Sequence, residues 1–350
     1  MALPFKLIYT DDYYLPIGAH VFPAEKYRLI HKRLLETKLA EPADFIAPQA
    51  ALDEDILLVH TREYVQKLKM GTLSAQEEQQ MEVPYSPELV KAFWLAAGGS
   101  ILAADCALRD SIACNIGGGF HHAFPDHGEG FCVIHDVAVA IKRMHKDGRI
   151  TRAMTVDCDV HDGNGTAAIF PPNGRHPNIG SPEVGPQKVG SPKPRSGQLP
   201  SAGASQLDVR GAYGESGSSG ELEVFTISLH QAHNYPMHKP PSSIDVNLPD
   251  GTNDKEYLGW LEQSLSSAFR QFEPELLCYI AGADPYKEDQ LGGLALTIEG
   301  LKKRDELVLK VAKTRNVPVM ITYAGGYARK VEDTVTIHCN TVLAAKEIYA

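Results

Sequence analysis

The chain has 350 residues, of which 43% are hydrophobic and 22% charged, a composition typical of a globular protein with length for one large domain or two average ones. Its formal net charge of -10 argues that the chain does not bind DNA or anionic membranes nonspecifically, because such binding needs a positive field that attracts phosphate. A basic tail of a partner would be attracted only weakly.

No apolar run approaches the roughly twenty residues that span a bilayer, and the first residues lack the layout of a signal peptide. The six cysteines form no C-x-x-C pair, which argues against a disulfide framework and against a thiolate zinc site. We therefore expect an intracellular soluble protein, in the cytoplasm or, in a eukaryote, in the nucleus, without direct contact to nucleic acid or membrane.

Short apolar runs alternate with amphipathic stretches along most of the chain. This alternation predicts an α/β fold with a mainly parallel sheet and helices on both faces, in which sites gather at the carboxyl ends of the strands. The predicted strands cover residues 6–10, 112–116, 153–156, 224–230, 276–280 and 317–323. The predicted helices cover residues 24–35, 88–108, 254–272, 300–315 and 332–350, and two more begin at residues 61 and 136. Residues 75–81 fit either a solvated helix or a surface loop.

The composition changes abruptly after Phe170. Roughly half of the residues from 171 to 223 are Gly, Pro or Ser. This composition leaves too few apolar side chains to offset the entropy of ordering the chain. We predict that residues 171–223 form a disordered or loosely ordered insertion, because a clear strand resumes at Val224. Residues 1–350 would then form one domain that this insertion interrupts.

The predicted strand at residues 153–156 ends in Asp157-x-Asp159-x-His161. Alternate side chains of an extended segment share a face, so these three would point the same way and could bind a divalent ion. A polar strand end with one capping Asp is the plainer alternative. The residues that follow predict a Gly/Asn turn through which neither a strand nor a helix continues.

Three other predicted strands are also followed by chemically active side chains. His121 and His122 come after the glycines at 117–119, which would let the backbone approach a ligand or another loop closely. Adjacent histidines suit a general acid/base pair better than joint metal chelation, although an exposed polar turn fits them equally well. Asp284 and Tyr327 follow the last two strands, and Tyr327 is either an oxyanion donor or a packed tyrosine.

Parallel strands would bring these ends to one edge of the sheet. Asp159, His161 and Asp284 then make three ligands with nitrogen and oxygen atoms, the number at which a catalytic zinc keeps one position open. Such an ion polarises a carbonyl and lowers the pKa of water, while one histidine takes a proton and another gives one to the leaving group. A hydrogen bond from Tyr327 to the oxyanion is typically worth a few kcal/mol.

Five motifs carry a family resemblance. They are Gly117-Gly118-Gly119-Phe120-His121-His122-Ala123, Gly128-Glu129-Gly130-Phe131-Cys132, Asp157-x-Asp159-x-His161-x-Gly163-Asn164-Gly165, Ala281-Gly282-Ala283-Asp284 and Gly325-Gly326-Tyr327. In order and setting they resemble the histone deacetylase family, within the arginase/deacetylase fold, over nearly the whole chain apart from the insertion. Residues 289–294 and 303–306 look most like the class IV branch and its bacterial relatives.

The resemblance implies a zinc-dependent hydrolase that removes acetyl or longer acyl groups from Nε-acyl-lysine of histones or other proteins. It implies Zn²⁺ on Asp159, His161 and Asp284. It also implies that the paired histidines are the acid and base for attack of water on the amide, with Tyr327 stabilising the oxyanion.

The resemblance implies two further sets of residues. Asp157 would orient His121 and help to hold a structural monovalent cation, K⁺, together with backbone oxygens of Asp159 and His161. The cation site is completed by Ser228 and Leu229. The acyl-lysine tunnel would be lined by Gly130, Phe131, Tyr235, Leu291, Gly325 and Gly326.

Four positions depart from the family pattern. Asn164 stands where many members have Asp, and a neutral amide would stabilise an imidazolium less, which favours His122 as a neutral base. Asp162 stands where His or Gln is usual, and His135 stands where Asn is usual. Ala324, in place of a glycine, would stiffen or shift the turn before Tyr327.

Other functions fit the same residues. An amidohydrolase of small acylated amines, of the acetylpolyamine type, would show acidic residues at the tunnel rim. A catalytically weakened binding module would use the insertion to dock a partner, and would follow if the insertion disturbed the strand that supplies Ser228. A manganese ureohydrolase fits less well, because two metals would need more carboxylates at these strand ends.

Overall fold

The computed structural model describes residues 2–172 and 220–350. The eight strands in these residues are β1 (Lys6–Ile8), β2 (Phe45–Ile46), β3 (Ile112–Asn115), β4 (Arg152–Asp157), β5 (Glu223–Gln231), β6 (Ile244–Leu248), β7 (Leu276–Ile280) and β8 (Val319–Thr322). They form one sheet in the order β2-β1-β3-β8-β7-β4-β5-β6, and every neighbouring pair is parallel.

Helices occupy most of the connections between these strands. They are α1 (Lys26–Glu36), α2 (Asp53–Ile56), α3 (Arg62–Met70), α4 (Ala75–Met81), α5 (Pro87–Asp110), α6 (Asp136–Lys146), α7 (Asn164–Ile169), α8 (Asp254–Gln271), α9 (Ile298–Thr314) and α10 (Val331–Tyr349). Side-chain caps set several of the starts: Asn253 accepts hydrogen bonds from the first turn of α8, and Thr297 accepts one from the first turn of α9.

The central strands are buried on both faces. All five residues of β7 and all four of β3 are buried, although their side chains alternate between the two sides of the sheet. Helices therefore cover both faces, which is the usual environment of a parallel sheet with continuous apolar strands. The α/β fold with a parallel sheet and helices on both faces is confirmed.

The longest helix corrects one expectation. By length and composition α5 is apolar enough to cross a membrane, whereas the sequence was expected to hold no such segment. Most of this helix is buried inside the protein, as in the core helix of a globular domain.

Local sequence patterns located most elements to within a few residues. β7 has the predicted bounds, and residues 75–81 are a helix. Two short strands, β2 and β6, were not predicted. The expectation that no helix follows His161 was wrong, because α7 begins at Asn164 directly after the turn at Gly163.

Most of the predicted insertion, residues 173–219, lies outside the described residues. The strand that follows it begins at Glu223, one residue before the prediction. β5 pairs with β4 over six residues, from Arg152 opposite Glu223 to Asp157 opposite Ser228. The strand that carries Ser228 is therefore fully docked in the sheet.

The strand order explains where a site can form. β3, β8, β7, β4 and β5 are successive neighbours, so their carboxyl ends lie along one edge of the sheet. The loops that leave this edge carry the paired histidines, the Asp-x-Asp-x-His sequence, Asp284 and Tyr327. Residues far apart in the chain are thereby brought into one region.

Candidate active site

Three predicted metal ligands meet between the ends of β4 and β7. His161 Nδ1 lies 3.0 Å from Asp159 Oδ1 and 3.4 Å from Asp284 Oδ2, and the three side chains are buried. One ligand atom from each lies within 4.8 Å of the others. Asp284 Oδ2 accepts no hydrogen bond from the residues that the structure describes.

The electrostatics of this cluster favour a positive charge between the carboxylates. Burial and the nearby Asp159 carboxylate raise the pKa of Asp284 to about 7. Burial alone would lower the pKa of His161, but Asp159 and Asp284 outweigh it and raise this pKa to about 10. The field that favours a proton on Nδ1 equally favours a metal ion, and this mixed nitrogen and oxygen donor set fits Zn²⁺.

Gly325 lets the backbone reach these carboxylates. Its N–H donates to Asp159 Oδ2 at 2.8 Å, and a Cβ at this position would lie only 1.9 Å from Asp284 Oδ2. A side chain there would displace a predicted ligand. The absence of a side chain at Gly325 is therefore part of the site.

His121 is bound to a carboxylate. Its Nδ1 lies 2.7 Å from Asp157 Oδ2, and both side chains are buried. Burial alone would lower the pKa of His121, yet Asp157 and Asp159 outweigh it and raise this pKa to about 9. His121 is therefore poised as the protonated member of the pair.

His122 has a neutral partner instead. Its Nδ1 lies 2.7 Å from Asn164 Oδ1. Burial, together with the charges of His121 and His161, holds the pKa of His122 well below its usual range. The neighbouring histidines therefore have opposite preferences, with His122 as the neutral member.

Glu129 completes a chain of hydrogen bonds that the sequence did not reveal. Asn164 Nδ2 donates to Glu129 Oε1 at 2.8 Å, and the Tyr235 hydroxyl donates to the same oxygen at 2.9 Å. The residue lies inside the Gly128-Glu129-Gly130 motif, but no role was expected for its carboxylate. An acidic residue between two glycines, next to a predicted tunnel residue, was the available signal.

The glycines before the histidines serve the approach of another loop. Gly118 and Gly119 have φ values of +81° and +80°, and the Gly119 N–H donates to the buried Asp136. A Cβ on Gly119 would lie 2.8 Å from the carbonyl oxygen of Tyr323 and 3.0 Å from Ala324 Cα. The histidine loop thus lies directly on the turn that precedes Tyr327.

That turn is held from several sides. The Tyr327 N–H donates to Asp289 Oδ2 at 2.7 Å, and the carbonyl of Ala324 accepts from Lys26 Nζ at 2.6 Å. Lys26 is fully buried, and burial lowers its pKa to about 8. Ala324 is thus accommodated by the loops around it, and Lys26 is a supporting residue that was not predicted.

A cavity of about 180 Å³ opens onto this region. Its lining includes four predicted tunnel residues, three predicted site residues, and two residues that were not predicted, Glu82 and Asn234. The predicted ones are Gly130, Phe131, Tyr235, Leu291, His122, His161 and Tyr327. Gly325 lines a smaller adjoining cavity, whereas Gly326 lines neither and a Cβ there would meet Thr334 and Ala283.

The residues of the predicted monovalent cation site are also neighbours. Asp157 and Ser228 face each other in the register of β4 and β5, and Leu229 follows on β5. Asp157 Oδ1 accepts from the Asp159 N–H at 3.1 Å, while its Oδ2 contacts His121. This carboxylate therefore links the loop that carries His121 to the segment that carries Asp159. The assignment of K⁺ to these residues stays a prediction.

A model of the histone deacetylase domain matches residues 20–342 of the chain. The chain belongs to the histone deacetylase family. An uncharacterised protein of Picosynechococcus sp. is 34% identical over 99% of both chains. Histone deacetylase 2 of Arabidopsis thaliana is 28% identical over 94% of this chain and 77% of its own length. The acetoin utilization protein AcuC of Bacillus subtilis is 27% identical over 83% of this chain and 69% of its own length.

Solved structures of the family share the fold. An HDAC homolog complexed with SAHA has a TM-score of 0.72 at 24% identity, covering 99% of this chain and 84% of that one. An HDAC homolog from Aquifex aeolicus has a TM-score of 0.70 at 24% identity, with coverage of 97% and 82%. The predicted resemblance to histone deacetylases and their bacterial relatives is confirmed, and the protein is a hydrolase of the deacetylase family.

Proposed function

We propose that the protein is a zinc-dependent deacylase that removes acetyl or longer acyl groups from Nε-acyl-lysine. One observation carries the proposal: a single cavity is lined by a member of the metal cluster, by the neutral histidine and by Tyr327. Asp159, His161 and Asp284 would hold the zinc ion. Zinc bound there would polarise the scissile carbonyl and lower the pKa of a water molecule.

The cavity walls suit an extended acyl-lysine. Phe131 lies on one side, with its ring 6.0 Å from that of Tyr327, and Tyr235 lies 5.1 Å from the ring of His122. Aromatic walls bury the aliphatic stem of the substrate and exclude water from the reacting amide. The amide carbonyl would then lie next to Tyr327, His122 and the metal cluster.

The histidines divide the proton transfers. The Nδ1–H of His122 donates to Asn164, which leaves the Nε2 lone pair to accept a proton from the attacking water. His121, held protonated by Asp157, supplies the positive charge and the acid for the leaving amine. The Tyr327 hydroxyl donates a hydrogen bond to the oxygen that becomes negative, at a deeply buried position where such a bond is strong.

The remaining assignments belong to the same proposal. Residues 1–350 form one deacetylase domain with an insertion at 171–223, supported by the family match on both sides of that segment. Asp157, Ser228 and Leu229 hold a structural K⁺ beside the histidine loop. The substrate partner is an acyl-lysine protein, recognised in an intracellular compartment.

A second candidate is the hydrolysis of small acylated amines. Glu82 lines the cavity, and burial together with the nearby Glu129 carboxylate raises its pKa. The carboxyl group of Glu82 in the cavity wall, together with the nearby charge of Glu129, would attract a substrate that carries a positive charge beyond its acyl-amine group. An acetylated polyamine has this charge, whereas the neutral backbone next to an acyl-lysine does not.

Hydrolysis and metal content, measured on the same samples, test the proposal. We expect the wild type to contain zinc and to cleave an acetyl-lysine or a long-chain acyl-lysine peptide faster than acetylputrescine. Tyr327→Phe should keep the zinc and lose 100-fold or more of kcat, on the order reported for the loss of one oxyanion donor. Asp159→Asn should lose the zinc equivalent that Asp159, His161 and Asp284 would hold, and with it the activity.

Three outcomes would count against the proposal. Retention of zinc and activity by Asp159→Asn would overturn the metal assignment. Faster cleavage of acetylputrescine that Glu82→Gln slows would favour the second candidate. If the wild type hydrolysed none of these substrates and Tyr327→Phe behaved like the wild type, the protein would be a binding module.

A further inference from the structure

A second cluster of metal-ligating side chains lies beside the candidate active site. It consists of Asp162, in the loop after β4, His230 near the end of β5, and Asp245 on β6. One ligand atom from each lies within 4.8 Å of the others. None of the three was assigned to the catalytic metal or to the predicted K⁺ site.

The sheet builds two sides of this cluster. In the parallel register of β5 and β6, Ser228 lies opposite Asp245 and His230 lies opposite Asn247. Residues two apart on a strand share a face, so all four side chains point to the same side of the sheet. Asp162 approaches from the loop above them, and His230 Nδ1 lies 3.2 Å from its Oδ2.

The carboxylates of this cluster are buried without sufficient donors. Asp162 is only 1% exposed, and neither of its carboxylate oxygens has a hydrogen-bond partner among the described residues. Asp245 Oδ2 accepts from the Ser242 N–H at 2.9 Å, but its buried Oδ1 has no partner there either. Buried carboxylate oxygens that no donor satisfies are costly unless a cation binds them.

His230 presents a lone pair to the same point. Its Nε2 lies 3.0 Å from Asn247 Oδ1, an oxygen that can only accept, so the proton is on Nε2. Nδ1 then accepts a hydrogen bond from the Ser228 hydroxyl at 2.8 Å, and Asp162 Oδ2 lies 3.2 Å from the same nitrogen. A nitrogen lone pair and a carboxylate oxygen that face each other repel, whereas both would bind a cation between them.

Lys239, a basic side chain whose charge acts on Asp162, makes its hydrogen bonds elsewhere. Lys239 Nζ donates to the carbonyl oxygens of Asn234 and Pro236, at 2.6 and 2.5 Å. These bonds orient the ammonium group toward the backbone of the 234–239 loop and leave the carboxylate oxygens of Asp162 without a direct hydrogen bond. The charge of Lys239 acts on Asp162 from a distance, but no donor among the described residues reaches the Asp162 carboxylate oxygens, so a cation bound directly to them would be stabilised.

We propose that Asp162, His230 and Asp245 bind a divalent transition-metal ion such as Zn²⁺ or Mn²⁺. Two carboxylates match the charge of the ion, and the imidazole nitrogen favours a transition metal over Mg²⁺ or Ca²⁺. The ion fastens the loop that carries Asp162 to β5 and β6. Because His161 precedes Asp162, this second site steadies a ligand of the catalytic cluster without touching the substrate.

Metal titration of the full chain tests the proposal. Metal-free protein, prepared by chelation and kept in potassium buffer, is titrated with Zn²⁺ and separately with Mn²⁺ by calorimetry, and bound metal is measured after dialysis. We expect two equivalents of Zn²⁺ for the wild type and one for Asp162→Asn. Asp245→Asn should also bind one equivalent, which keeps the test valid if the first variant does not fold. Asp250→Asn is the matched control, because Asp250 is an exposed carboxylate just after β6, and it should bind two.

A second readout separates this site from the catalytic one. Zn²⁺ bound at this site should raise the Tm of Asp159→Asn, which has lost the catalytic equivalent, and should not raise the Tm of the double variant Asp159→Asn/Asp162→Asn, because an ion stabilises the native state only through a site that binds it. One equivalent in the wild type, retained by both Asp162→Asn and Asp245→Asn, would overturn the proposal. A rise in Tm when K⁺ is added to the metal-free wild type in potassium-free buffer, if Asp162→Asn abolished it, would also overturn the proposal, since the cluster would then hold a monovalent ion. One equivalent that is lost in Asp162→Asn but kept by Asp159→Asn would support this site and overturn the proposed catalytic metal.

Discussion

Asn164 donates its amide hydrogen to Glu129 at 2.8 Å and accepts from His122 with its amide oxygen at 2.7 Å. The carboxylate of Glu129 accepts only, so it fixes which end of the Asn164 amide faces the histidine. His122 must therefore donate from Nδ1, which keeps the Nε2 lone pair toward the cavity. In the proposed mechanism, Glu129 would thereby control the base through Asn164.

Glu129→Gln should loosen this control. A Gln amide can donate to Asn164 as well as accept, so the orientation of the Asn164 amide would no longer be unique. We expect kcat for an acyl-lysine peptide to fall about 10-fold, the scale of one lost charge-assisted hydrogen bond, while zinc content stays unchanged. Glu262→Gln, an exposed residue of α8, is the matched control and should keep full activity. Equal kcat in both variants would show that Glu129 has no such role.

Asn164→Asp should shift the pH dependence of hydrolysis. A carboxylate next to His122 stabilises its imidazolium and raises its pKa, and a base must be deprotonated to act. The acidic limb of the kcat/KM profile should therefore move to higher pH. A profile that keeps its acidic limb in place would indicate that another group is the base.

Gly325→Ala should remove the catalytic metal. The new Cβ would lie 1.9 Å from Asp284 Oδ2, so either the carboxylate or the turn must move. We expect loss of the zinc equivalent that depends on Asp159 and loss of activity. Gly259→Ala is the control, because a Cβ there meets nothing within 4 Å and Gly259 lies inside α8. That change should stabilise the protein by up to about 1 kcal/mol through helix propensity, and zinc retention by Gly325→Ala would contradict the proposed ligand geometry.

The buried His60 should make the protein acid-sensitive. Burial lowers its pKa to about 4, while its Nε2 accepts from the His135 N–H and its Nδ1 donates to the Phe124 carbonyl. The unfolded chain therefore binds a proton between pH 6.5 and 4 that the folded protein does not, so stability decreases as pH falls through this range. The contribution is at most about 3 kcal/mol.

Urea unfolding at pH 7.5, 6.0 and 4.5 measures this effect. His60→Gln keeps an acceptor for the His135 N–H but cannot be protonated, so its free energy of unfolding should fall less steeply with acid than that of the wild type. Parallel slopes for the two proteins would place the acid sensitivity elsewhere, for example at His230, whose pKa is also lowered to about 4 by burial.

The elements whose signals are local were predictable. The apolar run of β7 and the amphipathic pattern of α8 were each located to within one residue. β6 was not predicted because its buried and half-buried residues alternate at the edge of the sheet, between segments rich in Pro, Ser and Gly. The start of α7 was hidden by Asn164 and Gly165, which favour turns in isolation, although here Gly165 lies against the His121 and Ala123 carbonyls where a Cβ would clash.

By itself, the sequence determined the parallel α/β class, the order of the strand ends along the chain and the types of side chain that follow each strand. These depend on patterns within a few neighbouring residues. Only the tertiary structure decided which of these groups touch. Glu129 meets Asn164 across 35 positions, and Lys26 reaches the Ala324 carbonyl across 298. Contacts of this kind depend on strand order and loop packing, and they also set the opposite pKa shifts of His121 and His122 and leave carboxylate oxygens of Asp162 and Asp284 buried without donors among the described residues.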